Sequence, residues 1–280
     1  MIAKAFAPAN ISCLFKIHED PNPRWMGSFG VGFTLSEGVT VEVTTSQTTQ
    51  IRFNNRLINF PTVHNVIKSL TKEKVLVTIT SPFPLGCGFG LSGASALATA
   101  YALNQLLGLK KSNKQLAIIA HIADVESKTG LGDVTNQYYG GVLVKVKPSS
   151  QFSVKKLAFN ATPVYVKYFS KLATKSVLTN ATFKEGIENA GTTALQKIET
   201  LLKKKQNISF ATIIFLSKEF VVGSGLLQHR KTIETIQAIE KRGGHASMII
   251  LGNAVFSDIP FPGATKVIVS NQGAHIMSID

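Results

Sequence analysis

The run FPLGCGFGLSGASALATAYALNQLLG, residues 83–108, holds five of the chain's 22 glycines. It lies between a β-branched stretch, VLVTIT, and a long alanine- and leucine-rich pattern. A strand, a glycine-rich turn and a helix start, in that order, form an anion site in physical terms. The first N–H groups of a helix lack internal partners, the helix dipole adds partial positive charge, and glycines let backbone approach a polyphosphate closely. Neither G-x-x-x-x-G-K-[ST] nor a G-x-G-x-x-G followed by a ribose-binding acid fits here. Gly88, Gly90 and Gly93 do make G-x-G-x-x-G, a pattern that a tight turn between packed elements would also satisfy.

At 280 residues with 44% hydrophobic content, the chain can bury one large core or two medium ones. No run approaches the roughly 20 apolar residues of a membrane span, and MIAKAFAPAN has no apolar segment of a secretory signal, so a cytoplasmic protein with no membrane partner is expected. Cys13 and Cys87 have no zinc or disulfide spacing and read as reduced thiols. A net charge of +14 calls for anionic partners, either phosphorylated small molecules or nucleic acid. The lysines are scattered and no arginine-rich aromatic stripe is present, so no nucleic acid partner is expected.

Upstream of the glycine loop, AKAFA, ISCLFKI, VTVEVTT, TQIRFN and VLVTIT read as strands. Downstream, a helix runs to Gly108, and a second opens at Ser112, whose spacing to Gln115 is that of a capping box, and stops near Thr129-Gly130. GGVLVKVK reads as a strand with one face in water. The composition shift at Pro148 to Ser150 divides the chain into domains 1–150 and 151–280. In the second, VYVKYF, ATIIFL, SMIIL and KVIVS read as strands, with helices at 180–204 and 226–242, a two-layer antiparallel pattern.

The segment Pro84 to Ala94, PLGCGFGLSGA, resembles the second motif of the GHMP kinases, P-x-x-x-G-L-G-S-S-A-A, with Leu91 in place of the first serine. HEDPNPRWMGSFGVGFTLSEGVTVEV (18–43), TGLGDVTNQYYGGVLVKVKP (129–148) and GGHASMIILGNAVFS (243–257) are similar to segments of the archaeal pantoate kinase family, in the same order. The resemblance implies an α+β fold of two domains, the first like that of ribosomal protein S5 and the second ferredoxin-like. It also implies ATP-dependent phosphorylation of (R)-pantoate to (R)-4-phosphopantoate in archaeal coenzyme A biosynthesis, with Mg²⁺, by a homodimer. Two rival readings stay open: a GHMP kinase for mevalonate or homoserine, and a non-catalytic nucleotide or nucleic-acid binding protein.

The same resemblance assigns candidate residues. Pro84, Gly86, Gly88, Phe89, Gly90, Leu91, Ser92, Gly93 and Ala94 fall on the loop that wraps the ATP phosphates. Ser92 and Asp124 fall on the metal positions; Asp124 is one methylene shorter than the family's Glu, so it reaches Mg²⁺ either directly or through water. Asp133 falls on the aspartate that orients or deprotonates the attacking hydroxyl. His18, Arg24, Ser28, Asn10 and Ser247 are candidates for the substrate site, which for a small hydroxylated carboxylate needs a cation and several donors. The family's first-motif lysine has no counterpart, since APAN occupies residues 7–10.

Overall fold

Two long antiparallel strands, β1 (Ala3–His18) and β2 (Gly27–Thr45), form the spine of the computed structural model, which describes residues 1–172, 176–177 and 179–279. β1 runs unbroken through the two segments that the sequence suggests as separate strands. It absorbs Pro8 at an irregularity between Pro8 and Asn10, and a second irregularity falls between Ser12 and Leu14. Pro within a sheet is confined to such places because it cannot donate to the ladder.

Six further strands complete this sheet: β3 (Gln50–Phe53), β4 (Arg56–Leu57), β5 (Val75–Thr80), β6 (Val142–Lys145), β7 (Lys155–Leu157) and β12 (His275–Ile279). The path is β12-β1-β2-β5-β3-β4, with β6 on the first half of β2 and β7 beyond it. Two segments from beyond residue 150, β7 and β12, thus belong to the first sheet.

Over the spine lie α1 (Pro61–Leu70), α2 (Leu91–Leu106), α3 (Asn113–Glu126) and α4 (Asp133–Tyr139). The small residues of α2 let it pack on every side, and all residues from Gly93 to Leu103 are buried. The Ser112–Gln115 capping box opens α3 as its spacing predicts.

The second sheet has the order β11-β8-β10-β9, built from β8 (Pro163–Lys171), β9 (Ala246–Met248), β10 (Gly252–Ser257) and β11 (Thr265–Ile268). All its pairings are antiparallel, and the order fourth-first-third-second is the ferredoxin-like one. Among the described residues, α5 (Ala181–Lys203), α6 (Phe210–Gly223) and α7 (Arg230–Glu240) lie in its first crossover, whereas the second is a loop. One apolar core runs from Ala3 through Phe33 and Phe256 to Ile213, joining the two sheets. No described helix is long and apolar enough to cross a membrane.

Two sequence expectations need correction. ATIIFL lies inside α6, not in a strand. Ser209 caps that helix by accepting from the Thr212 N–H, and the buried set Phe210, Ile213, Ile214, Ser217, Phe220, Val221 has helical spacing. The apolar side chains on its outer face, Phe215 and Val222, hide that period in the sequence. β6, in turn, has no face in water. Val142 to Lys145 are all buried, with Val142 and Val144 in the apolar core on one face and Lys145 against Gly132 on the other.

Candidate active site

The glycine loop turns through left-handed conformations that only glycine adopts freely, with φ of 80° at Gly86, 85° at Gly88 and 63° at Gly90. Three of its carbonyls are drawn into the protein body. Gly86 O accepts from Leu172 N (3.0 Å), Phe89 O from Asn10 N (3.0 Å), and Gly90 O from Gln137 Nε2 (2.7 Å). Phe89 stacks on Phe83 with ring centroids 4.3 Å apart. Gly90 is the N-cap of α2, and no side chain caps that helix. With its carbonyls fixed behind it, the loop faces a cleft of about 480 Å³ with an uncapped helix N-terminus.

The opposite wall comes from the start of α4 and from β1, β2 and β6. Asp133 is the first residue of α4, where a carboxylate suits the helix dipole. Its Oδ1 accepts from Asn10 Nδ2 at 2.7 Å and from Ser12 Oγ at 3.2 Å. Asn10 and Ser12 sit at the two irregularities of the β1–β2 pairing, where a bulge re-aims side chains that an even ladder would point elsewhere. Burial raises the Asp133 carboxyl, while the Lys145 charge and the two hydrogen bonds pull it down.

Asp124 on α3 is buried behind the loop. Its Oδ1 accepts from Ser92 Oγ (2.9 Å) and Thr129 Oγ1 (2.6 Å). Burial, helped by the charge of Asp133, pushes its pKa up to about 7, against the pull of the Thr129 and Ser92 hydroxyls. Such an acid is costly without a compensating cation.

Lys145, at the end of β6, is a buried ammonium that sequence reasoning missed. Its Nζ donates to Gly132 O at 3.2 Å, beside Asp133. Burial brings its pKa down to about 8, and the charge of Asp133 counters that fall. The signal was there, since a single cation closes the apolar run GGVLVK, but it read as the water-facing side of an alternating strand.

The cleft brings together Gly86, Gly88, Phe89, Gly90, Leu91, Ser92, Ser28 and Asp133 from the sequence candidates. Gly93 and Ala94 are buried in α2 behind it, and Pro84 lies at the start of the loop outside its lining. Asn10 is fully buried and its amide is spent on Asp133 and Asn136. Arg24 lies outside the lining; it donates to Ser150 O at 2.8 Å and covers the Trp25 ring. His18 packs edge-on against Phe29, also outside the lining.

Ser247 is buried under α6, where it accepts from Ser217 Oγ at 2.9 Å. The C-terminal motif meets the loop further along, through Ile250, Leu251 and Gly252. A Cβ on Gly252 would stand 2.1 Å from Cys87 O and 2.7 Å from Gly88 N. Gly252→Ala therefore displaces the loop backbone, and the catalytic efficiency of any reaction the loop serves is expected to fall about 10- to 100-fold, as small misplacements of a reacting group do. Steady-state kinetics checks this.

An uncapped helix start behind a glycine turn, facing the Asp133 carboxylate and a buried lysine, with a second carboxylate, Asp124, outside the cleft lining and hydrogen-bonded to Ser92, has the parts of a phosphoryl-transfer site. The profile of the GHMP kinases N terminal domain matches residues 59–141. The chain is 34% identical over 256 residues to the pantoate kinase of Methanocaldococcus jannaschii, covering 90% of each. It is 32% identical over 274 residues to the pantoate kinase of Thermococcus kodakarensis, covering 92% of this chain and 87% of that one. A solved structure described as a phosphotransferase related to the CoA biosynthesis pathway superposes with a TM-score of 0.84, at 26% identity over 99% of both chains. The chain belongs to the pantoate kinase family of the GHMP kinases.

Proposed function

We propose that this chain is a cytoplasmic kinase that transfers the γ-phosphoryl group of ATP to the primary hydroxyl of (R)-pantoate, giving (R)-4-phosphopantoate for coenzyme A synthesis. The observation that carries the reading is the loop whose carbonyls at Gly86, Phe89 and Gly90 are held by the protein body, with its uncapped helix start turned to the cleft of Asp133. The family resemblance at 34% identity over nine-tenths of the chain supports the acceptor.

Residues 86–93 would bind the nucleotide phosphates through backbone N–H groups. A second hollow of about 370 Å³ shares Ile58, Asn59 and Phe60 with the cleft and gives room for the nucleoside. Asp133 orients the acceptor hydroxyl and takes its proton on the oxygen that Asn10 and Ser12 leave free. Lys145 and Ser28 supply the cation and the donor that a small carboxylate needs.

Ser92 and Asp124 fit a divalent cation, being hard oxygen donors in contact with each other, one of them an acid whose burial disfavours its charge. No cluster of three or more metal-binding side chains exists among the described residues, so phosphates and water would complete the ion's shell. When bound, Mg²⁺ neutralises phosphate charge.

The test is ATP consumption by the purified protein with Mg²⁺ and (R)-pantoate, beside mevalonate and homoserine. Turnover confined to pantoate is the expected result, and a preference for another acceptor overturns the assignment. The same reading takes the enzyme as a homodimer without a nucleic-acid partner, which sedimentation with and without RNA checks.

A further inference from the structure

Three of the polar side chains of α4 have different tasks: Asp133 faces the cleft, Gln137 holds Gly90 O, and Asn136 points into the protein. Asn136 is fully buried, and its Nδ2 donates to Asn10 Oδ1 at 2.7 Å. Asn10 Nδ2 donates in turn to Asp133 Oδ1 at 2.7 Å. An amide with its oxygen claimed by one neighbour and its nitrogen by another can sit only one way round.

Asn136 itself gains little from this placement. Its Oδ1 is buried without a partner, a situation that costs stability. Room for the amide pair is also kept by β2, where a Cβ on Gly32 would stand 2.6 Å from Asn136 Nδ2. An apolar side chain of the same size would pack there without the orphan oxygen, so the sheet and the helix accommodate an amide whose one paired group is the donor to Asn10.

We propose that Asn136 is a positioning residue for phosphoryl transfer: acting through Asn10, it fixes which oxygen of Asp133 is tied back and which is left for the acceptor hydroxyl. The inference rests on the role given to Asp133 above. If Asn136 is lost, Asn10 is free to turn its amide over and present an oxygen to the carboxylate it now supports. Lys145 on β6, Asp124 on α3 and Cys13 on β1 are the other titratable groups in this neighbourhood, and they stay in place in every variant below.

The experiment compares Asn136→Leu, Asn136→Asp and Asp133→Asn in the full chain, by steady-state kinetics and thermal melting. Asn136→Leu removes the donor and the orphan oxygen together. Its kcat is expected to fall about 10-fold while KM for ATP stays within about two-fold and the melting temperature does not drop. Asn136→Asp puts an acceptor against Asn10 Oδ1 and forces the amide over, so its kcat should fall about 100-fold at pH 8. Its activity relative to the unmodified enzyme should recover as pH falls, because the protonated carboxyl donates again, and a purely structural role has no reason to show that recovery.

Should Asn136→Leu fail to fold, Asn136→Ser replaces it, since its hydroxyl is too short to reach Asn10. Near-normal kcat in the folded Asn136 variants, with Asp133→Asn inactive, overturns the positioning role and leaves the role of Asp133 standing. An active Asp133→Asn variant overturns the reading on which the inference rests. Equal losses in Asn136→Leu and Asn136→Asp at every pH overturn the orientation argument.

Discussion

Asp133→Asn is expected to lower kcat by about 1,000-fold or more while leaving the affinity for ATP within about two-fold. The substitution is nearly isosteric, and the remaining carbonyl oxygen can still accept from Asn10 and Ser12, so the start of α4 stays in place. What disappears is the anionic oxygen that faces the cleft. An amide cannot take the hydroxyl proton, and it offers an N–H where the hydroxyl's own hydrogen must point. The loop is pinned by Leu172, Asn10 and Gln137, none of which needs the Asp133 charge, which is why nucleotide binding survives. Two neighbours report the change: without the negative charge the Lys145 pKa falls further below about 8 and that of Asp124 falls from about 7. Single-turnover kinetics with a separate nucleotide-binding measurement gives the split, and retention of kcat within ten-fold removes Asp133 from the chemistry.

Asp124→Asn is expected to stabilise the metal-free protein at pH 8 and to remove most of its activity. Burial first, and the charge of Asp133 second, raise the Asp124 carboxyl from about 3.8 to about 7. Between those values the folded state keeps a proton that the unfolded state releases, so this group's contribution is fully present below pH 4 and is lost as pH rises through 7. The loss is on the order of 4 kcal/mol. Asn keeps an oxygen for the Ser92 and Thr129 hydroxyls and carries no charge to desolvate. Urea unfolding should therefore show the variant more stable at pH 8, the gap narrowing by pH 5 and closing below pH 4, whereas kcat/KM for Mg·ATP falls about 100-fold or more. A variant less stable at both pH values contradicts the desolvation argument. The pairing of higher stability with lost function marks a carboxylate kept for its charge.

The site was legible in the sequence where one local signal does the work. Glycines at 86, 88 and 90 announce backbone that must turn left-handed, and GLGD announces an acid freed at a helix start. Ser112 and Gln115 announce a helix by their spacing alone. What was not legible depends on contacts between distant segments. Lys145 is buried where Gly132, 13 positions earlier in the chain, comes over it and takes its Nζ on a carbonyl, a contact that nothing in GGVLVK announces. Asn10 is aimed at Asp133 by an irregularity in the β1–β2 register, which no property of Asn10 or its neighbours fixes. Ser247 sits in a motif of the right composition, but the half-turn of chain after it, through Leu251 with its φ of 61°, brings Gly252 to the loop in its place. ATIIFL was misread because a helix with apolar residues on both faces has no period to see.

The pairing of β12 with β1, Ala3 against Ile279, sets a timetable. During synthesis β1 has one edge vacant until residues 275–279 have left the ribosome. Ring closure over such a span is entropically late and slow. A nascent chain stalled before residue 275 leaves that edge, with its alanine-rich inner row, open to strands of other chains. Removing the last five described residues should therefore show first as poor yield and aggregation during expression, before any defect in the chemistry of a site that they do not touch.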